Sequence, residues 1–220
     1  MNKILAAVIC CDYKSYSLNQ CLEAIKAAGI DSILLNYEGV ISSKIDEVKY
    51  VQEWRFSGDG KNERKFDQDQ NSRLTPICIA RNMVMDFFQQ TDYDYLLFVD
   101  SDVIIPIDTL EKLIFDNQLR SGLVSGRGIH NGAKYLFYPR MTNGVWTMVD
   151  YATCGFLLIP REIVFKTRFR WGLPQEGGAI CSEDPLFGSD CRKLGINWWV
   201  NTDLKANHLG ELNEGETSQF

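Results

Sequence analysis

Apolar residues gather in short runs that alternate with helical patterns through the first half of the chain. Residues 3–11 carry an unbroken apolar run, Ile4 to Cys11, which predicts a buried strand. Ser17 to Ala28 follows as a helix. Its Leu18, Cys21, Leu22 and Ile25 recur at spacings of three and four, Ser15 or Ser17 can cap its start, and Gly29 stops it. Ser32 to Leu35 predicts a second strand. Strand, helix and strand joined by short loops imply a right-handed crossover and parallel pairing. Residues 39–75 break the pattern. They are rich in Lys, Glu, Asp, Gln, Asn and Gly, and predict a short helix near Ile45 to Trp54 within a long polar loop.

Order returns at Thr75-Pro76, which marks the start of a helix over Ile77 to Gln89. The run Tyr95 to Val99 predicts a strand, and Ile107 to Leu119 a helix with Asp108 or Thr109 at its start. Gly122 to Gly126 predicts a strand. Residues 127–153 read as short strands and turns holding Tyr135, Phe137, Tyr138 and Trp146. Cys154 to Ile159 is an apolar strand, and Pro160 opens a short helix to Phe165. Asp184 to Leu194 is a helix ended by Gly195, Asn197 to Val200 a strand, and the polar tail beyond Gly210 is expected to fray. The alternation predicts an α/β fold with a mostly parallel sheet.

Composition narrows the class. At 220 residues one domain is expected. Hydrophobic content of 45% and charged content of 24% are ordinary for a globular protein. A formal charge of −6 argues against a bulk electrostatic grip on nucleic acid. The seven Cys form no C-x-x-C pair, which argues against zinc and fits a reducing cytoplasm. The start, MNKILAAVICC, faintly resembles a signal peptide. Its short apolar run leads directly into a helix, so a first strand is the better reading. No apolar run reaches the ~20 residues that cross a bilayer.

The chemistry centres on Tyr95 to Pro106, YLLFVDSDVIIP. A buried strand delivers Asp100 and Asp102 at its end, where open α/β sheets place their ligands. Two carboxylates on one turn repel unless a cation sits between them, and Mg²⁺ or Mn²⁺ favours such oxygen ligands. With 17 Asp in the chain, one Asp-x-Asp is expected by chance, and three occur. Asp67/Asp69 lies in a polar stretch and Asp92/Asp94 precedes the strand. Only Asp100/Asp102 follows a buried strand. Glu183-Asp184 opens the helix in CSEDPLFGSDCRKLG, with Ser182 as a cap and Pro185 as an early helical residue. There the acids can serve the helix dipole, or one can be a general base. His208 and His130 are the two histidines, and each is as readily structural as a ligand. Arg81-Asn82, near the expected start of a helix, suits an anion or an ordinary surface. Trp171-Gly172, with Gly177-Gly178 nearby, suits either a closing aromatic or core packing.

The order of these features resembles that of GT-A fold glycosyltransferases, closest to the family-2-like inverting enzymes. The resemblance spans residues 3–210 and rests on the Asp-x-Asp, SEDPLF and HLG, while residues 39–75 match nothing in it. It implies a single Rossmann-like domain with a mostly parallel central sheet, helices on both faces and a smaller mixed acceptor-side sheet. Residues 1–126 would bind the nucleotide sugar, and 127–210 the acceptor. By resemblance, Asp100, Asp102 and His208 would hold Mn²⁺ or Mg²⁺. Cys11, Asp12, Asn36, Glu38, Arg81, Asn82, Asp100 and Ser101 would meet the donor. Asp184, beside Glu183, would be the base, and Trp171 and Gly155 would face the acceptor. The basic motif that many members carry near the C-terminus has no clear counterpart here. The donor would be a nucleotide-diphosphate sugar, with UDP favoured. The acceptor would be a saccharide, a protein or a modified nucleic-acid base.

Three other classes compete. A haloacid-dehalogenase-like phosphatase also places Asp-x-Asp after an apolar strand, but on its first strand, and Ile104 stands where it carries Thr or Val. A non-catalytic nucleotide- or sugar-binding module would not need Asp184. A dinucleotide-dependent oxidoreductase lacks support, because no G-x-G-x-x-G follows the first strand.

Overall fold

The computed structural model describes residues 2–38, 48–53, 70–120, 122–130, 133–134, 139–172 and 182–209. The chain opens with β1 (Ile4–Cys11), a 3₁₀ turn (Asp12–Ser17), α1 (Leu18–Ala27) and β2 (Ile33–Glu38). After β3 (Tyr50–Glu53) come α2 (Gln70–Gln89), β4 (Tyr95–Asp100), β5 (Val103–Ile104) and α3 (Thr109–Arg120). The second half holds β6 (Leu123–His130), β7 (Ala133–Lys134), β8 (Pro139–Asn143), β9 (Trp146–Val149) and β10 (Phe156–Pro160). It ends with α4 (Arg161–Val164), α5 (Glu183–Lys193) and β11 (Trp198–His208).

These strands form one sheet in the order β3-β2-β1-β4-β10-β6-β11-β9-β8. The first four pair in parallel, and between β1 and β2 the connection through α1 requires it. The expected mostly parallel sheet with a separate mixed sheet is corrected here. β10 runs antiparallel between β4 and β6, and β9 and β8 continue the same sheet antiparallel. β9 and β10 run the same way, both opposed to β6 and β11, and residues 150–155 between them form no helix. The first residues of β10 start beside the end of β4, with Phe156 opposite Val99.

Alternation along the strands divides the core in two. Ala6, Val8 and Cys10 of β1 face α1 and α3, through Leu18, Cys21, Leu22, Ile25 and Leu113. Leu5 and Ala7 face α2, α4 and α5, through Val84, Met85, Phe88, Val164 and Phe187. Helices thus cover both faces. Tyr50–Glu53 is an edge strand, so the helix expected near Ile45 to Trp54 is not formed there, and residues 45–47 and 54 lie outside the described residues. Helix α2 begins at Gln70 and contains Pro76, earlier than the Pro-marked start suggested. β11 runs on to His208, well past Val200. Gly177-Gly178, Tyr135, Phe137, Tyr138 and the tail beyond Gly210 also lie outside the described residues.

Candidate active site

Three parallel strands end along one edge of the sheet. Register aligns Ile9 of β1 with Asn36 on one side and Asp100 on the other, and Cys11 with Glu38. Asn36 and Asp100 follow Leu34 and Phe98 by two positions, so their side chains share the face covered by α2.

On that face Arg81 of α2 is the organising group. The residue is 1% exposed, and its guanidinium carbon lies 5.4 Å from the ring centres of both Phe98 and Phe169. Nη2 donates to Asp100 Oδ1 at 3.2 Å, and Nη1 donates to the Cys154 carbonyl at 3.1 Å. The Cys154 N–H in turn donates to Asp184 Oδ1 at 3.2 Å. One peptide residue, at the mouth of β10, thus links the pair Arg81–Asp100 to Asp184. Burial pushes the Asp184 carboxyl up to about 7, and neighbouring Glu183 pushes the same way, while Arg81 and Cys154 oppose them. Burial also costs the Arg81 charge, yet Asp100 and its other acidic neighbours hold it firmly protonated. Gly155 completes the contact. Its carbonyl accepts from the Asp100 N–H at 2.9 Å, and a Cβ there would stand 2.5 Å from Asp100 Oδ2.

Asp102 has different partners. It is 2% exposed, and its Oδ2 lies 2.8 Å from Lys14 Nζ and 3.4 Å from His208 Nε2. Its Oδ1 is buried and has no hydrogen-bond partner among the described residues. Three chain segments clamp the turn. Ser17 Oγ donates to the Ser101 carbonyl at 2.9 Å, the Leu209 N–H donates to the Asp102 carbonyl at 2.7 Å, and Tyr16 Oη donates to the Leu209 carbonyl at 3.0 Å. Asp102 opposes the loss of the Lys14 charge that burial would favour, and Asp100 adds to its pull. The expected trio is therefore divided: Asp102 meets His208, while Asp100 is held by Arg81. Among the described residues no group of three His, Cys, Asp or Glu side chains converges on one metal position.

The other expected positions fall in several places. Asn82 is committed to the backbone of Phe169, donating to its carbonyl at 2.8 Å and accepting from its N–H at 2.9 Å. It fixes the segment below the site. Arg81 lies in the middle of α2, so the helix-N-terminus reading of this pair does not hold. Asn36 is fully buried, with Nδ2 donating to Gln52 Oε1 at 2.8 Å and Oδ1 lacking a partner among the described residues. Cys11 and Glu38 end their strands at the edge; the Asp12 side chain lies outside the description, as does that of His130. Ser101 is buried in the turn. Trp171 packs against the apolar cluster beneath α2 and α5, which is the core-packing alternative. Ser182 stands at the N-cap of α5 with extended backbone and no side-chain capping bond. Sequence patterns missed Lys14 and Tyr16, which sit on a turn with no periodicity. Their signal is position alone, directly after the first strand.

No family model matches the sequence, and no curated protein sequence matches it closely enough to show a relative. Solved structures do resemble it. GalNAc-T7, solved with UDP, GalNAc and Mn²⁺, superposes with a TM-score of 0.64 at 14% identity over 100% of this chain. The chain spans 46% of the length of that protein. A197 from STIV superposes with a TM-score of 0.58 at 16% identity, over 95% of this chain and 86% of its own. These likenesses show a GT-A-like fold.

Proposed function

We propose that the chain is a glycosyltransferase that moves a sugar from a nucleotide-diphosphate donor, UDP-linked by preference, to an acceptor hydroxyl with inversion. The carrying observation is the link Asp100–Arg81–Cys154–Asp184, which ties a carboxyl poised near neutral pH to the strand-end acidic turn. The likeness to a structure holding UDP, GalNAc and Mn²⁺ supports the donor class.

The residues fit a hard divalent cation. Asp102 offers a buried oxygen without a partner among the described residues, His208 Nε2 stands at its other oxygen, and a lysine ammonium is already drawn to the carboxylate. Asp102 and His208, with Asp100 nearby in sequence, would hold Mn²⁺ or Mg²⁺. Such an ion would supply charge stabilisation for the departing diphosphate. The chain's own residues do the rest. Asp184 accepts the proton from the acceptor hydroxyl as its oxygen bonds to the anomeric carbon, and the bond from that carbon to the diphosphate breaks. Arg81 and Cys154 fix Asp184 and keep part of it ionised at neutral pH. A phosphatase reading would need Asp100 as a free nucleophile, whereas Arg81 engages it.

A panel of UDP-sugars incubated with the protein and Mn²⁺, with UDP release and product mass as readouts, tests the proposal. Release by the wild type and its loss in Asp102→Ala are expected. A protein that neither binds nor cleaves any nucleotide sugar, with Mn²⁺ or Mg²⁺ present, overturns it.

A further inference from the structure

Lys14 stands on the 3₁₀ turn that follows β1, and its ammonium takes the place beside Asp102 where a cation belongs. The charges around the acidic turn already balance: Arg81 answers Asp100, and Lys14 answers Asp102. Lys14 and His208 both approach the same oxygen, Asp102 Oδ2. A divalent ion bound by Asp102 and His208 therefore competes with the ammonium for that atom. The lysine is the partner able to leave, since its side chain is 27% exposed against 3% for Asp102. The backbone of the turn stays put, because Ser17 Oγ reaches both the Lys14 carbonyl at 3.2 Å and the Ser101 carbonyl at 2.9 Å.

Resting on the metal-assisted reading above, we propose that Lys14 is an exchangeable resident cation. It neutralises Asp102 until a divalent ion and a diphosphate arrive together, then yields the carboxylate to the ion and moves its ammonium onto the diphosphate. Charge counting supports the exchange. A bare divalent ion would overload a neutral site and repel the lysine. A terminal phosphate loses its second proton near pH 6, so a nucleoside diphosphate carries about three negative charges at neutral pH. With the divalent ion the pair is left net negative, and a mobile ammonium on a flexible stem is suited to it. Lys14 thereby makes the site accept the ion–diphosphate pair in preference to the ion alone. No covalent step is involved.

Lys14→Met separates the two halves of this role. Mn²⁺ alone is titrated against the protein while the paramagnetic resonance signal of the free ion is followed. UDP, and UMP as a control without the second phosphate, are titrated by calorimetry at saturating Mn²⁺. The variant is expected to bind Mn²⁺ alone about tenfold tighter and UDP about tenfold weaker, the size of one charge-assisted hydrogen bond. UMP affinity should change far less, and Lys14→Arg should stay near the wild type. If Lys14→Met does not fold, Lys14→Gln is read in the same way. Constants that both stay within about twofold of the wild type, or that weaken together, overturn the proposal. Equal Mn²⁺ binding in both proteins removes the role of Lys14 and leaves the metal reading standing. Absence of Mn²⁺ and UDP binding in both removes the two together.

Discussion

Asp184 ties the chemistry to pH. Its carboxyl is raised to about 7, by burial first and by Glu183 second. A base must be ionised, so transfer should rise with pH and level off above about 7. Asp184→Asn should keep donor binding and lose about 10²–10⁴-fold in turnover, the usual worth of a positioned base. Wild-type rates in that variant, or a pH profile without a limb near 7, would remove Asp184 from the role. Stability moves the other way. A carboxyl whose folded value lies above its unfolded value of about 4 contributes stability that is full below pH 4 and lost as pH rises through 7. Melting temperatures of Asp184→Asn should therefore gain on the wild type between pH 4 and pH 8. Each kcal/mol corresponds to about 2–4 °C in a chain of this size. Arg81 sets the limb from the opposite side. Arg81→Met withdraws the cation that holds Asp184 down, so the limb should climb above 7. It also leaves Asp100, whose side chain is 23% exposed, without its cation, at a cost of about 1–3 kcal/mol in urea unfolding. Retained stability together with an unmoved limb would show that this ion pair does not organise the site.

At the scale of the element, the site depends on where β10 starts. Gly155 sits against Asp100 because β10 descends beside β4. Gly155→Ala would place Cβ 2.5 Å from Asp100 Oδ2 and 2.9 Å from Cγ, forcing the carboxylate off Arg81. A loss of about 1–3 kcal/mol in stability is expected, with weakened donor binding. Gly188→Ala is the matched control. Its Cβ would meet the Asp150 carbonyl at 2.4 Å, in the packing of α5 away from Asp100. It should destabilise the protein and spare donor affinity in the folded fraction, by calorimetry. Equal losses of affinity in both variants would mean that Gly155 acts only through general packing. The same strand shows what the chain made legible. Strands β1, β2 and β4 and helices α1 and α5 follow from apolar runs and spacings of three and four, because each has one or both faces buried. The direction of β10 does not follow, since an apolar run has no polarity and only its connection decides the pairing. The reach of β11 was missed because adjacent Thr202 and Asp203 break the apolar run, although Asp203, Lys205 and Asn207 then alternate with buried Leu204 and Ala206 as a half-buried strand does. The early start of α2 was masked by Pro76. The strand-end position of Asp100 and Asp102 and the nearness of His208 to Asp102 were legible from motif order. Lys14 was not, because an ion pair across 88 positions leaves no local pattern.

At the scale of the whole molecule, the two ends of the described chain close on the acidic turn. The first turn brings Lys14, Tyr16 and Ser17, the turn after β4 brings Ser101 and Asp102, and the last strand brings His208 and Leu209. β11 reaches that place because its later half shifts register between Asn201 and Lys205, then pairs with β5 as well as β6. A bulge of this kind re-aims the end of a strand. The end of β11 is paired with β6 on one side and with only the two-residue β5 on the other, while β1, β4 and β10 are paired on both sides and sandwiched by helices. Local opening follows such differences in burial and bonding. Amide hydrogen exchange should be slowest in β1, β4 and β10 and faster in the edge strand β3 and at Asn207 to Leu209. Tyr16→Phe removes the bond to the Leu209 carbonyl, worth about 0.5–1.5 kcal/mol. It should speed exchange at Asn207 to Leu209 by about two- to tenfold and leave β1 and β4 unchanged. Acceleration spread evenly over the sheet would instead mean that the end of β11 opens only with global unfolding, and that the closure of the acidic turn is not a separable unit.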